Sequence, residues 1–241
     1  FERVAEPRKE NLTVLSDAVK ANNADLGFAT DPDVDRLVIV DENGEAILEE
    51  NTIAIIADYL LSKEKGTLVT NLSTSMRFDY VAEKHGVEVC RTAVGEANVA
   101  GKMKEISALF GGEGNGGVIY PELNYTRDSL VGMALILQAL ADTDKNISDF
   151  WKEIPQYVLL KDKVAVKGDF QVIKEKIKDV LSSEKVDEQD GIKFIWKDKW
   201  VHLRPSGTEP IIRIFAEAEN EEDVKELVEI IKNNINQITG E

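Results

Sequence analysis

The chain has 241 residues, a formal net charge of −16 at pH 7, 43% hydrophobic residues and one cysteine. That length and apolar content suit one large folded domain or two ordinary ones. The acidic balance argues against a nucleic-acid or anionic-membrane surface, since both need clustered Lys and Arg, so an anionic ligand would need a local basic site. Cys90 alone cannot form an internal disulfide and reads as a small buried residue rather than a metal thiolate. No apolar run approaches a membrane span, and the opening "FERVAEPRKENL" lacks the basic end and apolar core of a signal peptide, so the expected location is cytoplasmic. "EPRKENL" reads as the middle of an extended segment entering a helix, which suggests a fragment.

In chain order, apolar residues Leu12, Leu15, Ala18 and Val19 fall at helical spacing over 12–21, and "DLGFAT" and "RLVIVDE" read as strands. "DENG" at 41–44 is a turn. "TIAIIADYLLS" predicts a helix, "GTLVTNL" a strand, "SMRFDYVAEKHG" a helix and "VEVCRTA" a strand. A helix over 96–106, a short strand "SALFGG" and a helix "RDSLVGMALILQALA" complete an alternating pattern, which predicts a mainly parallel sheet covered by helices. After "DFWKEIPQYV" the order becomes strand (159–166), helix (170–182), strands (192–196, 200–204, 211–218) and a helix from Glu221, an α+β module. The acidic stretch "SSEKVDEQDG" reads as a loop. The last helix carries Val224, Leu227, Val228, Ile231, Ile235 and Ile238 on one stripe, with Glu221, Glu222 and Asp223 in the first turn, where the helix dipole favours anions.

Three loops carry chemistry. "DPDVDR" sets Asp31, Asp33 and Asp35 at alternate positions, and three such carboxylates repel one another unless a cation joins them; their hard oxygens suit Mg²⁺. Arg36 could hold a carboxylate or meet a phosphate oxygen. The plain alternative is a solvated acidic turn. "GGEGNGG", 111–117, offers Glu113 and Asn115 among five glycines, a set suited to vicinal sugar hydroxyls, or else a mobile loop. "RPSGTEP", 204–210, offers the Arg204 guanidinium, the hydroxyls of Ser206 and Thr208, and Gly207, whose neighbouring N–H groups can point at an anion, so it reads as a phosphate cradle. His85 closes a helix, and His202 reads as a strand histidine with a satisfied ring.

The three loops in this order resemble those of the phosphohexomutases, over essentially the whole chain, with "RTAVGEANV" similar to that family's active-site turn in the third domain. The resemblance implies phosphohexomutase-type α/β domains, a partial second (1–50) and a full third (51–157), then an α+β TATA-binding-protein-like C-terminal domain (158–241). It makes Asp31, Asp33 and Asp35 the Mg²⁺ ligands, Arg36 the catalytic contact to the reacting phosphate, Glu113 and Asn115 the sugar ligands, and Arg204, Ser206, Gly207 and Thr208 the grip on the other phosphate. It implies interconversion of hexose 6- and 1-phosphates through a phosphoserine and a hexose bisphosphate, most similar to phosphoglucosamine mutase. Alternatives are phosphomannomutase or phosphoglucomutase activity, or a non-catalytic phosphosugar- or Mg²⁺-binding module.

Two departures accompany the resemblance. Many relatives end the sugar loop in Ser-Gly-His, where this chain has Asn115, Gly116 and Gly117. The family's serine stretch is absent, so the catalytic serine and the N-terminal domains are expected outside this chain, which alone should be inactive. Lys102, Arg91 and Arg127 are polar candidates near the loops without an assigned role. An incomplete second domain should leave sheet edge or apolar surface exposed around residues 25–40, with disorder or pairing to a second molecule, a dimer, as the consequence.

Overall fold

The computed structural model describes residues 4–166 and 168–239. The chain divides into two compact units, Phe1–Pro155 and Gln156–Glu241.

The first unit starts with α1 (Thr13–Asn22), β1 (Leu26–Thr30) and β2 (Leu37–Asp41). The two strands pair antiparallel, Leu26 opposite Asp41 and Thr30 opposite Leu37, so the aspartate loop is the connection of a hairpin. The expectation of exposed surface near 25–40 holds for β1 and fails for β2. Among the described residues β1 pairs with β2 alone, and beside it an open groove of about 740 Å³ is lined by Leu12, Val14, Leu15, Phe28 and Val34. All of β2 is buried, because α2 (Glu49–Lys63) and α5 (Ser129–Ala141) pack on it.

Helix α2 is apolar on nearly every side, from Ile53 to Leu61, and so lies inside the unit rather than on its surface. Around it run β3 (Leu68–Asn71), α3 (Met76–His85), β4 (Val89–Thr92), α4 (Glu96–Ile106), β5 (Phe110–Glu113), β6 (Gly117–Ile119), α5 and α6 (Ile147–Lys152). The sheet order is β4-β3-β5-β6; β3 is parallel to β4 and β5, and β6 is antiparallel to β5. Helix ends obey local chemistry: the Ser75 hydroxyl and the Asp128 carboxylate accept the first N–H groups of α3 and α5. His85 Nε2 lies 2.5 Å from Asp58 Oδ1, tying α3 to α2.

The glycine run departs from its reading as a loop. Gly111 to Glu113 belong to β5 and Gly117 starts β6, leaving a three-residue hairpin tip. Main chains approach too closely here for side chains: a Cβ on Gly111 would lie 2.5 Å from the Val69 carbonyl oxygen. Glycines conceal a strand because they carry none of the apolar alternation by which strands are read.

The second unit contains β7 (Val158–Ala165), α7 (Phe170–Val180), β8 (Lys185–Asp187), β9 (Ile192–Ile195), β10 (Lys199–Pro205), β11 (Ile211–Ala218) and α8 (Glu221–Thr239). The sheet, ordered β7-β11-β10-β9-β8, is antiparallel throughout. Ile173 and Ile177 of α7 and the α8 stripe from Val224 to Ile235 cluster with Val201, Leu203, Ile212 and Ile214. Strand β8 corrects the loop expected at "SSEKVDEQDG". It is an edge strand with two exposed residues, and charge on an edge strand blocks further pairing while erasing the pattern that marks a strand.

Candidate functional site

In the first unit the chemistry gathers at the carboxyl ends of strands, where open α/β sheets bind ligands. The aspartate loop follows β1, Asn71 ends β3, Gly95 follows β4 and Glu113 ends β5. The aspartate loop is closed by its own backbone: the N–H groups of Asp35 and Arg36 donate to Asp31 Oδ1 at 3.1 and 3.0 Å. Within it Val34 holds a left-handed φ of +60°, a conformation that strains a β-branched residue by roughly 1–2 kcal/mol. Val34→Asn, with a side chain that tolerates this region, should therefore raise the urea midpoint by the equivalent of about 1 kcal/mol; an unchanged or lower midpoint would mean the position is unstrained.

Asp31, Asp33 and Asp35 each present an oxygen, all within 4.8 Å of one another. Asp35 Oδ1 is buried and has no hydrogen-bond partner among the described residues. Burial, then a hydrogen bond shared with Asp31, pushes the Asp35 carboxyl well above the ordinary carboxylate range, against the pull of Arg127. Burial also pushes Asp31 upward, but hydrogen bonds from the Arg36 N–H, the Asp35 carboxyl and the Asp35 N–H outweigh it, and Asp31 ends below its usual value. Three converging hard oxygens, one of them without a hydrogen bond and 3.8 Å from the Arg36 Nε, fit a small divalent cation. Arg36 lies over them, Nε at 3.4 Å from Asp31 Oδ2 and Nη1 donating to Glu6 Oε1 at 2.7 Å; in this arrangement it holds carboxylates.

Glu113 is 5% exposed and held through both oxygens: Oε1 accepts from Asn71 Nδ2 at 2.8 Å and the Gly95 N–H at 3.1 Å, and Oε2 accepts from Arg127 Nη1 at 2.9 Å, which leaves Oε2 room for one more donor. Asn115 Oδ1 accepts the Gly117 N–H at 3.2 Å. The hairpin tip meets the aspartate loop through the Leu37 N–H, which donates to the Gly116 carbonyl at 3.0 Å.

Arg127, without an assigned role in the sequence, is the side chain that joins these loops. Its Nη2 donates to Asp35 Oδ2, its Nη1 to Glu113, and its Nε lies 3.4 Å from Glu96 Oε2. The sequence signal was its standing as one of three polar candidates near the loops; in the structure it directly precedes the α5 cap, Asp128. The other two candidates do not bridge the loops: Lys102 pairs with Glu105, and Arg91 holds Asp79 and the carbonyls of Asn71 and Thr74, bracing the end of β3.

In the second unit, Arg204 and Pro205 of "RPSGTEP" end β10, and residues 206–210 form the connection to β11. Ser206 Oγ accepts the N–H groups of Thr208 and Glu209 at 3.4 and 3.3 Å, curling the turn, while Gly207 and Thr208 are exposed. Arg204 Nε stands 2.7 Å from Asp190 Oδ2. Arg213, directly opposite Arg204 in the β10–β11 register, is exposed, a second arginine on this strand pair that sequence spacing did not single out. His202 is fully buried beside them and its Nε2 donates to the Asp190 carbonyl at 2.6 Å, so its ring is satisfied structurally.

Three family models match in succession: phosphoglucomutase/phosphomannomutase alpha/beta/alpha domain II over residues 1–44, alpha/beta/alpha domain III over 49–157, and the C-terminal domain over 159–233. A Thermococcus kodakarensis protein named "Phosphoglucomutase/phosphomannomutase" is 42% identical over 95% of this chain and 51% of its own length. A Pyrococcus horikoshii protein named "Probable phosphoglucosamine mutase" is 38% identical over 99% of this chain and 54% of its own. The crystal structure of a phosphoglucomutase/phosphomannomutase family protein from Burkholderia thailandensis shares the fold, with a TM-score of 0.83 at 22% identity over 97% of this chain and 51% of that one. The chain spans about half the length of the curated relatives it matches. With its aspartate loop, glycine hairpin and "RPSGTEP" turn each falling in a different one of the three matched domains, the chain belongs to the phosphohexomutase superfamily.

Proposed function

We propose that this chain supplies cation, sugar and phosphate recognition to a phosphohexomutase that interconverts hexose 6- and 1-phosphates in the cytoplasm, with glucosamine phosphate as its substrate. The observation that carries the reading is the convergence of Asp31, Asp33 and Asp35 beside Arg36, one guanidinium away from Glu113. Asp31, Asp33 and Asp35 would hold Mg²⁺, which when bound offsets the negative charge of a transferring phosphoryl group. Arg36 would turn from Glu6 to that group's oxygens, as a guanidinium fork suits them. Glu113 and Asn115 would orient sugar hydroxyls, and Arg204, Arg213, Ser206, Gly207 and Thr208 would grip the phosphate that stays on the sugar. Since both ends of a hexose bisphosphate must occupy each place in turn, the grip has to accept either end. The serine that carries the phosphoryl group would come from upstream segments of a longer protein.

The test is mutase activity on glucosamine 6-phosphate with Mg²⁺ and a hexose bisphosphate, for this chain and for one extended upstream through the serine domain. Activity is expected in the longer chain alone, and Asp33→Asn should lower its kcat/KM at least tenfold by removing a charged ligand. The name of the Thermococcus relative favours glucose and mannose phosphates as a second reading, so both belong in the assay. Inactivity of both chains with phosphosugar still bound would instead indicate a non-catalytic binding module.

A further inference from the structure

We infer that Arg127 is a positioning residue for the cation loop, holding Asp35 so that one carboxylate oxygen stays free for a divalent cation, and that Gly117 is glycine to make room for it. The inference rests on the cation reading above and goes beyond it to residues outside the aspartate motif.

Arg127 Nη2 takes Asp35 Oδ2, while Asp35 Oδ1 is buried, lacks a hydrogen-bond partner and has the Arg36 Nε facing it, 3.8 Å away. One oxygen is thereby anchored and the other left for the Asp31–Asp33 side, the division of labour seen when a carboxylate ligand is oriented from outside the metal's own contacts. The anchor is itself fixed: its Nη1 bonds to Glu113 at 2.9 Å, its Nε lies 3.4 Å from Glu96, and its backbone N–H donates to Glu96 Oε1 at 2.9 Å. The guanidinium side chain is 13% exposed. A flexible lysine at this position would carry the charge without a planar fork able to span two carboxylates.

Gly117 supplies the second observation. Its φ is not among the positive values, so no backbone demand makes it glycine. A Cβ there would instead stand 2.3 Å from Arg127 Cδ and 3.1 Å from Cγ, with Asn115 Oδ1 at 3.0 Å as the other neighbour. The hairpin strand omits its side chain where the Arg127 stem crosses, and an alanine would push that stem aside without altering any charge.

The experiment is titration of the chain with Mn²⁺ alone, following free Mn²⁺ by electron paramagnetic resonance, with thermal unfolding measured on each variant. Arg127→Gln should weaken Mn²⁺ binding roughly tenfold or more, the scale typical of such supporting contacts. Gly117→Ala should weaken it in the same direction, and Arg127→Lys should recover only part of the loss. Tyr59→Phe, which removes the bond from the Tyr59 hydroxyl to Asp142 at 2.8 Å, should lower the unfolding temperature and leave Mn²⁺ affinity unchanged. Should Arg127→Gln fail to fold, Gly117→Ala alone decides. Wild-type affinity in the Arg127 and Gly117 variants, with Asp33→Asn still weakening binding, overturns the role of Arg127 alone. Indifference of Asp33→Asn as well overturns the cation loop itself.

Discussion

Gly116→Ala is expected to cost roughly 3 kcal/mol of unfolding free energy or more, and to weaken Mn²⁺ binding in the same protein. Gly116 has a φ of +85°, which L-residues rarely adopt, and a Cβ there would stand 2.3 Å from the Leu37 carbonyl oxygen and 3.0 Å from its nitrogen. Both neighbours are backbone of a fully buried strand, so neither can swing away. The Gly116 carbonyl also accepts the Leu37 N–H, and Leu37 follows Arg36 directly, so pushing the hairpin tip off β2 separates the glycine hairpin from the aspartate loop. Gly86→Ala isolates the conformational part. Gly86 also has a positive φ, +66°, but a Cβ there would meet nothing within 4 Å, so its cost should be about 1 kcal/mol. Urea unfolding of the two variants side by side measures the difference, and equal losses would mean that the approach to Leu37 is not tight.

Acidification should destabilise the chain through His202, by an amount on the order of 3 kcal/mol. Burial lowers the pKa of this imidazole from 6.5 to about 4, with Lys193 and Arg204 adding to the effect and the Asp190 carbonyl opposing it. The folded state therefore keeps the ring neutral where the unfolded chain already binds a proton. Stability is complete above pH 6.5, falls as the pH drops toward 4, and takes no further loss from this residue below that. Other groups titrate in the same range, so the measurement is the difference between wild type and His202→Gln, whose amide can still donate to Asp190. Between pH 7 and pH 5 the wild type should lose more unfolding free energy than the variant, whose remaining slope comes from the other groups. A variant with the wild-type slope would place the titration elsewhere.

Much of the fold was legible because hydrophobic periodicity is local. The α8 stripe from Val224 to Ile235, the all-apolar α2 and the strands of the α/β alternation lie close to their expected places. Strands β6 and β8 were not legible, since glycine in one and exposed charge in the other remove the alternation that reveals a strand. The sequence by itself also determined that Asp31, Asp33 and Asp35 share one short loop, because neighbours in the chain cannot be far apart in space, and their mutual repulsion calls for a cation at any geometry. What it could not determine is which distant groups close the site. Arg127 is 92 residues from Asp35 and 14 from Glu113 in the chain, and no spacing rule links positions brought together by different strand ends. Only the tertiary structure decided that this arginine, rather than Lys102 or Arg91, lies between the two loops, that Gly117 yields space to it, and that Arg213 stands across from Arg204. The physical reason is common to all three. Periodicity and turn chemistry act over a few residues, whereas the partner of a buried charge is chosen by packing, which is settled only when the whole unit has folded.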